Sequence, residues 1–164
     1  MLERALYSLT IAGAVGSGLT AGMFFAFSSF VMAGLARVEP RSGVAAMQSI
    51  NVTVINPVFM LVFMGTGLVA LGLAAAAFAG WTGGEAIILL TAAALYVVGC
   101  IGVTMAFNVP LNNALAAVPA DSAAAAELWT RYLRDWTFWN HVRTVASLGA
   151  SVLFVAALIR NAAV

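Results

Sequence analysis

Four long apolar runs constrain this chain more than any other feature. They cover about Ala5–Leu35, Ile55–Ala79, Ala86–Phe107 and Phe138–Ile159. About 20 helical residues cross the roughly 30 Å hydrocarbon core of a bilayer. Hydrophobic residues make up 63% of the chain and charged residues only 8%, which leaves little polar surface for a soluble domain. The sequence therefore predicts an all-α, integral membrane four-helix bundle that forms one domain over residues 1–164.

The segments that join the runs differ in length. Gly80–Glu85 is a tight glycine-rich turn, so the second and third helices should form an antiparallel hairpin. The two long connections, residues 37–54 and 108–135, carry four of the seven arginines. Arginine-rich connections tend to stay in the cytoplasm. We therefore expect both long connections to be cytoplasmic and both termini to lie outside.

The sequence also indicates how the first and last helices begin. The apolar stretch after Arg4 is longer than the roughly 7–15 residues of a signal-peptide core, so we expect a retained helix. Asp121 and Ser122 are candidate N-caps, because their side-chain oxygens can accept from free helix amides. No helix breaker follows. The last helix should begin near Ala123, run to about Arg160, and extend beyond the membrane at its N-terminal end.

Polar residues cluster at the run ends that adjoin the two long connections. This topology brings them to one membrane face, where they can converge. Three groups are involved: Gln48, Asn51 and Asn56; Asn108, Asn112 and Asn113; Asn140, His141 and Arg143.

Helical spacing orders the last of these groups. Trp129, Trp136 and Arg143 are seven residues apart and share a face with Asn140, while Tyr132 lies beside that stripe. Tryptophans near a membrane surface are often interfacial anchors, which is the alternative for Trp129 and Trp136.

The single histidine, His141, lies about 100° from Asn140 around the helix and points to the flank of this face. We expect it to project with Arg143 into the bundle mouth, the end of the bundle that adjoins the two long connections, or to hydrogen-bond a neighbouring helix. Arg143 lies on the hydrocarbon side of Trp139, where an arginine needs a partner. The candidates are Asp135, helix-end carbonyls and a bound anion.

Several classes of function do not fit this inventory. The arginines form no basic face for nucleic acid, and Cys100 alone cannot form an intrachain disulfide. A single histidine supplies too few ligands to predict a metal site, and no glycine-rich dinucleotide-binding fingerprint is present. We expect no cofactor, with an unseen metal or quinone as the open alternative. The remaining class of chemistry is proton transfer, because a histidine can deprotonate an acidic carbon or a phenol of the substrate. The substrate carbanion that results can react directly with O₂.

Four segments form a recognisable pattern. They are Gly22-Met23-Phe24-Phe25-Ala26-Phe27-Ser28, Ala46-Met47-Gln48-Ser49-Ile50-Asn51 with Asn56-Pro57, Asn108-Val109-Pro110-Leu111-Asn112, and Trp136 to Thr144 with its Trp-Asn-His-Val-Arg-Thr core. Together they resemble the anthrone oxygenase-like family of small four-helix membrane proteins, most bacterial members of which have no known function. The resemblance implies a bacterial plasma-membrane protein and oxygenation of an anthrone to an anthraquinone without added cofactor. The polar positions of the family pattern are matched at Asn51, Asn108, Asn112, Trp136, Asn140, His141 and Arg143.

The combined prediction is a membrane oxygenase for a flat phenolic, anthrone-like or quinol-like molecule. His141 would act as the base, and Arg143, Asn140 and Asn108 would stabilise the oxyanion. The predicted substrate-binding residues are Trp136, Phe24, Phe27, Gln48, Asn51, Asn56, Asn112 and Tyr132.

Two other functions fit the sequence. Small residues four apart at Ala14, Gly18 and Gly22 favour close packing of another helix, either within the bundle or, in an accessory subunit, from a partner protein. A homo-oligomer is a further possible assembly. A small-molecule permease is the other alternative.

Overall fold

A computed structural model describes residues 1–162, so residues 163 and 164 of the predicted domain lie outside it. Its described part is helical and contains no strand. The helices are α1 (Leu2–Ala26), α2 (Met32–Leu35), α3 (Pro40–Thr53), α4 (Pro57–Phe78), α5 (Ala86–Ala94), α6 (Val109–Ala116) and α7 (Ala123–Ala162). Three π-helical segments, Phe27–Val31, Leu95–Gly102 and Thr104–Asn108, connect neighbouring helices.

Four helical stretches of the described chain are long and apolar enough to cross a membrane. They are span 1 (Leu2–Leu35), span 2 (Pro57–Phe78), span 3 (Gly83–Ala116) and span 4 (Ala123–Arg160). The prediction of an all-α, multi-pass membrane bundle is therefore confirmed. Span 3 continues past its predicted end at Phe107, because α6 follows the last π segment directly.

The start of α7 was predicted correctly. The Ser122 hydroxyl accepts a hydrogen bond from the Ala125 amide at 3.1 Å and caps the helix. Its 40 residues make α7 about 60 Å long at 1.5 Å per residue. That is about twice the hydrocarbon thickness, so a large part of α7 extends beyond it.

Helix α3 was not predicted, because its polar composition suggested a loop. It packs across the end of the bundle that carries the long connections, and it buries Val44 and Met47. Gly43 lies so close to α7 that an added Cβ would come within 2.8 Å of the Trp129 ring. We call α3, together with the buried Leu115 of α6, the roof.

The small residues of α1 pack inside the bundle. The Ser151 hydroxyl of α7 donates to the Ala14 carbonyl at 2.9 Å, and a Cβ on Gly18 would lie 3.2 Å from the same hydroxyl. Only Gly22 of the three is exposed. The surface that suggested an accessory subunit is therefore largely occupied by α7 of the same chain.

Tyr96 ties three spans together at the core. Its side chain is fully buried, and its hydroxyl donates to the Phe63 carbonyl of α4 at 3.0 Å. The same hydroxyl lies 3.0 Å from the Thr20 hydroxyl of α1. Hydrogen bonds of this kind hold membrane helices together where the hydrophobic effect provides little driving force.

Candidate functional site

A cavity of about 270 Å³ lies beneath the roof, among the four spans. Its walls are largely aromatic: Phe24 and Phe27 come from span 1, Phe59 and Phe63 from α4, and Trp136 from α7. Phe59 and Phe63 stack at 5.3 Å, and Phe24 meets Phe63 edge to face at 6.2 Å. Flat rings arranged around a cavity suit a planar apolar ligand.

Arg143 is the one ionisable side chain among the described residues that line this cavity. It is only 4% exposed. Its Nη2 donates to Asn140 Oδ1 at 2.6 Å, and its Nη1 donates to Thr104 Oγ1 at 3.3 Å. The guanidinium carbon lies 4.1 Å from the Phe24 ring centroid and 5.0 Å from that of Trp136. The cation is thus fixed between hydrogen bonds and aromatic faces.

The charge of Arg143 has no counter-ion within residues 1–162. Asp135, one of its predicted partners, pairs instead with Arg134 at 2.7 Å. The Nε of Arg143 is buried and has no hydrogen-bond partner among these residues. A buried cation with an unused donor is unfavourable unless something else compensates it. An anionic oxygen in the cavity would supply the missing negative charge.

Asn140 holds Arg143 in place. Its Nδ2 donates to the Phe24 carbonyl and to the Ser28 hydroxyl, both at 2.7 Å, while its Oδ1 accepts from Arg143. Asn140 is fully buried and does not line the cavity. The contact of Asn140 with an oxyanion stays a prediction, whereas its hydrogen bonds make it a positioning residue for Arg143.

A second polar network lies next to the aromatic walls. Asn112 Oδ1 accepts from the Tyr132 hydroxyl and from Trp136 Nε1, both at 2.8 Å. Asn51 Nδ2 donates to the Tyr132 hydroxyl at 3.4 Å. Asn51, Asn112 and Trp136 line the cavity, and Tyr132 stands fully buried behind them. The predicted convergence of the asparagine-bearing segments is therefore observed for these residues.

Residues 59–153 match the family described as Anthrone oxygenase, and this stretch is more than half of the chain. The chain belongs to the anthrone oxygenase family. The matched stretch includes Asn112, Trp136 and Arg143, which form much of the polar wall of the cavity, and Asn140, which holds Arg143 in place. No curated protein and no solved structure matches the chain.

Asn108 does not occupy the position in the cavity that the sequence predicted for it. It is 1% exposed, and its Nδ2 donates to the Trp136 carbonyl at 3.2 Å. Its Oδ1 is buried and has no partner in the described chain. Asn108 does not line the cavity. It braces span 3 against α7 rather than facing a ligand.

Gln48 and Asn56 make hydrogen bonds that hold helix ends in place. Gln48 donates to the carbonyls of Leu115 and Val118, at 2.8 and 3.0 Å, and so ties the roof to the end of α6. Asn56 Oδ1 accepts from the Phe59 amide at 3.0 Å and caps α4. Neither side chain lines the cavity, so their predicted contacts with a substrate stay predictions that these positions do not support.

His141 lies outside the cavity. Its side chain is exposed, whereas Asn140 is fully buried and Arg143 nearly so. The expected projection into the bundle mouth is not observed, because one residue along α7 rotates the side chain by about 100° to the outer face. Its role as a base stays a prediction that its position does not support.

Trp129 and Trp136 are packed inside the protein. They are 3% and 5% exposed, and Tyr132 stacks between them at centroid distances of 5.5 and 5.9 Å. The predicted common face is therefore confirmed. The interfacial-anchor alternative is wrong for both tryptophans, because the roof covers this part of α7.

Sequence reasoning missed several lining residues. Thr104 lies four residues before Asn108, but this spacing gave no signal for the cavity, because Asn108 itself does not line it. The methionines gave no such signal, because a methionine in an apolar run is usually lipid contact or core. Those that line the cavity are Met23, Met47, Met60, Met64 and Met105.

A larger cavity of about 700 Å³ lies at the opposite end of the bundle. Glu3, Tyr7, Trp81, Glu85 and Arg160 are among its lining residues, and most of them are exposed. None of the described lining residues is a predicted site residue. We therefore take the smaller, more buried cavity as the candidate site.

Proposed function

We propose that this protein is a membrane-embedded oxygenase that oxidises a flat phenolic, anthrone-like or quinol-like molecule in the cavity beneath the roof. One observation carries the proposal. Arg143 lines an aromatic cavity, and its buried guanidinium has no carboxylate partner among the described residues. A phenolate or enolate oxygen on a planar ring system matches that combination of charge and shape.

Arg143 would activate the substrate by favouring its anion. A cation within hydrogen-bond distance stabilises a developing oxyanion strongly in a site from which water is excluded. The phenolic or enolic proton would pass to water or hydroxide at the polar end of the cavity, near Asn51 and Asn112. Asn140 would keep the guanidinium in position during this step.

The anion would then react with O₂ at the ring carbon opposite the oxyanion. One electron passes from the carbanion to O₂, and the two radicals combine to form a carbon-bound peroxide. Protonation and loss of water leave a ketone at that carbon. Overall, a ring CH₂ and one O₂ give a C=O and one H₂O, so no external reductant is needed and the proton is returned. The proposal therefore includes no added cofactor.

The direct test is turnover of a hydroxyanthrone by protein purified in lipid nanodiscs. Quinone formation would be followed by absorbance and O₂ uptake with an electrode. We expect one O₂ consumed for each quinone formed, at a rate well above spontaneous autoxidation in empty nanodiscs. A rate equal to that background for a panel of hydroxyanthrones and quinols would show the proposed function to be wrong.

His141→Ala is expected to keep most of this turnover, because the imidazole is exposed and does not line the cavity. The measurement is kcat and KM for hydroxyanthrone oxidation in nanodiscs. The matched control is Val145→Ala, an exposed position one turn along α7. A large loss of kcat in His141→Ala alone would restore His141 as the base and require α7 to rotate in the working enzyme.

A further inference from the structure

One side of the candidate cavity is not closed by protein. Five lining residues are buried, among them Phe24, Phe63 and Arg143, whereas Met60, Met64 and Met105 line the cavity and remain exposed on the outer surface of the bundle. Met64 is 42% exposed and Met105 is 63% exposed. The three side chains come from two neighbouring elements, α4 and the π segment Thr104–Asn108. The cavity therefore reaches the bundle surface between spans 2 and 3.

The opening arises because these two spans separate along their length. They pack closely where Gly67 faces Ile101, so that an added Cβ on Gly67 would lie only 2.6 Å from Ile101 Cδ1. About one turn further towards the roof, α4 makes no comparable contact with the π segment Thr104–Asn108. Each turn of a π-helix holds more residues than an α-helical turn, and such segments often occur at functional sites.

The opening lies at the depth of the lipid tails. Met64 is seven residues into α4, which places it about 10 Å along the helix from the start of that span at 1.5 Å per residue. The 22 residues of α4 are long enough to cross a hydrocarbon core of about 30 Å and little more. Side chains at the opening would therefore contact acyl chains rather than water.

The roof covers the water-facing end of the cavity except at Ile55, which lines the cavity at the junction of α3 and α4 and is 72% exposed. The covering side chains are almost completely buried: Val44 and Leu115 are 0% exposed and Met47 is 1% exposed. Gln48 fastens α3 to the end of α6. A ligand that arrived from water would have to displace this packed layer or enter past the apolar side chain of Ile55.

We propose that the ligand passes sideways between the bilayer and the cavity, through a portal lined by Met60, Met64 and Met105. Methionine suits a portal, because its unbranched thioether changes conformation easily and fills the gap when no ligand is passing. The ligand is accordingly a neutral, membrane-dissolved aromatic phenol that ionises only beside Arg143. The identity of this ligand rests on the proposed function, whereas the route does not depend on turnover.

The test measures the rates at which a hydroxyanthrone binds and leaves the protein in phosphatidylcholine vesicles. Oxygen is removed, so that the probe is bound but not consumed, and the absorbance change of the probe is followed in a stopped-flow instrument. Met64→Trp and Met105→Trp should slow association and dissociation together, by about tenfold, with little change in Kd. Met105→Ala should speed both. Leu68→Trp is the matched control, because Leu68 is exposed one turn along α4 and does not line the cavity.

Several results would overturn the portal. One is that all three methionine variants bind and release the probe at the wild-type rates. Another is a weaker Kd with an unchanged association rate, which would make these methionines part of the ligand's packing surface only. Faster binding in Met47→Ala alone would place the route through the roof. Absence of binding to the wild-type protein would remove both the ligand site and the portal, whereas binding under anaerobic conditions without aerobic turnover would remove only the proposed function.

Discussion

Arg143→Met should lower kcat for hydroxyanthrone oxidation by about 100- to 1,000-fold, the usual loss when a main oxyanion-stabilising donor is removed. Methionine matches the aliphatic stem of the arginine side chain but ends before the guanidinium, so it removes the charge and every donor. The substrate phenol would then lose the cation that favours its ionised form, and carbanion formation would become rare. The measurement is kcat and KM in nanodiscs, with quinone and O₂ followed together.

Two further variants separate charge from geometry. Arg134→Met removes an exposed guanidinium that pairs with Asp135 outside the cavity, so it should leave turnover unchanged. Arg143→Lys keeps the charge but cannot reproduce the forked donors to Asn140 and Thr104 or the stacking on Phe24. It should therefore recover only part of the activity. Full activity in Arg143→Met would show that this cation has no part in the reaction.

The same substitution should have little effect on stability. Arg143→Met loses two hydrogen bonds and leaves Asn140 Oδ1 without a donor, which costs about 1–3 kcal/mol for an unsatisfied buried group. It also removes a buried, unpaired cation whose desolvation costs several kcal/mol. We expect a melting temperature in nanodiscs equal to or above that of the wild type. Unfolding of Arg143→Met would instead indicate that the guanidinium is a structural link between span 1 and span 4.

The predictable part of this fold follows from hydropathy and spacing. The four spans and the start of α7 could be predicted, because bilayer thickness and the capping chemistry of Ser122 act locally. The common face of Trp129, Trp136 and Arg143 could also be predicted, since a seven-residue spacing changes little around a long, regular helix. These regular parts supply the fixed wall of the cavity.

The remaining features depend on tertiary packing. The π segments change the helical phase in spans 1 and 3, so Asn108 turns towards the Trp136 backbone rather than into the cavity. Helix α3 has a polar composition and is held by its fit to Trp129, which no local pattern indicates. His141 was placed in the mouth from its chemistry and its proximity in sequence to Asn140, although one residue of helical rotation was enough to turn it outward.

Asn112 carries a second large effect, because a single oxygen accepts two buried donors. Asn112→Leu would leave the Tyr132 hydroxyl and the Trp136 Nε1 without their acceptor, at about 1–3 kcal/mol for each group. The variant should therefore have a clearly lower melting temperature, and its Kd for a hydroxyanthrone should rise because the Trp136 wall becomes less fixed. Asn113→Leu is the matched control, because Asn113 is the next residue, is exposed and does not line the cavity.

A double substitution tests the cause of that loss. Asn112→Leu combined with Tyr132→Phe removes one of the two stranded donors, so the pair should be more stable than Asn112→Leu alone, although Tyr132→Phe by itself should be destabilising. The sign of this interaction energy is the deciding measurement, since only residues that share a network show such coupling. Additive losses would mean that the two side chains act independently and that Asn112 supports the cavity through its packing volume alone. Coupling of the expected sign would make its carbonyl oxygen the fixed point that aligns Tyr132 and Trp136 behind the ligand, while Asn140 performs the corresponding task for Arg143.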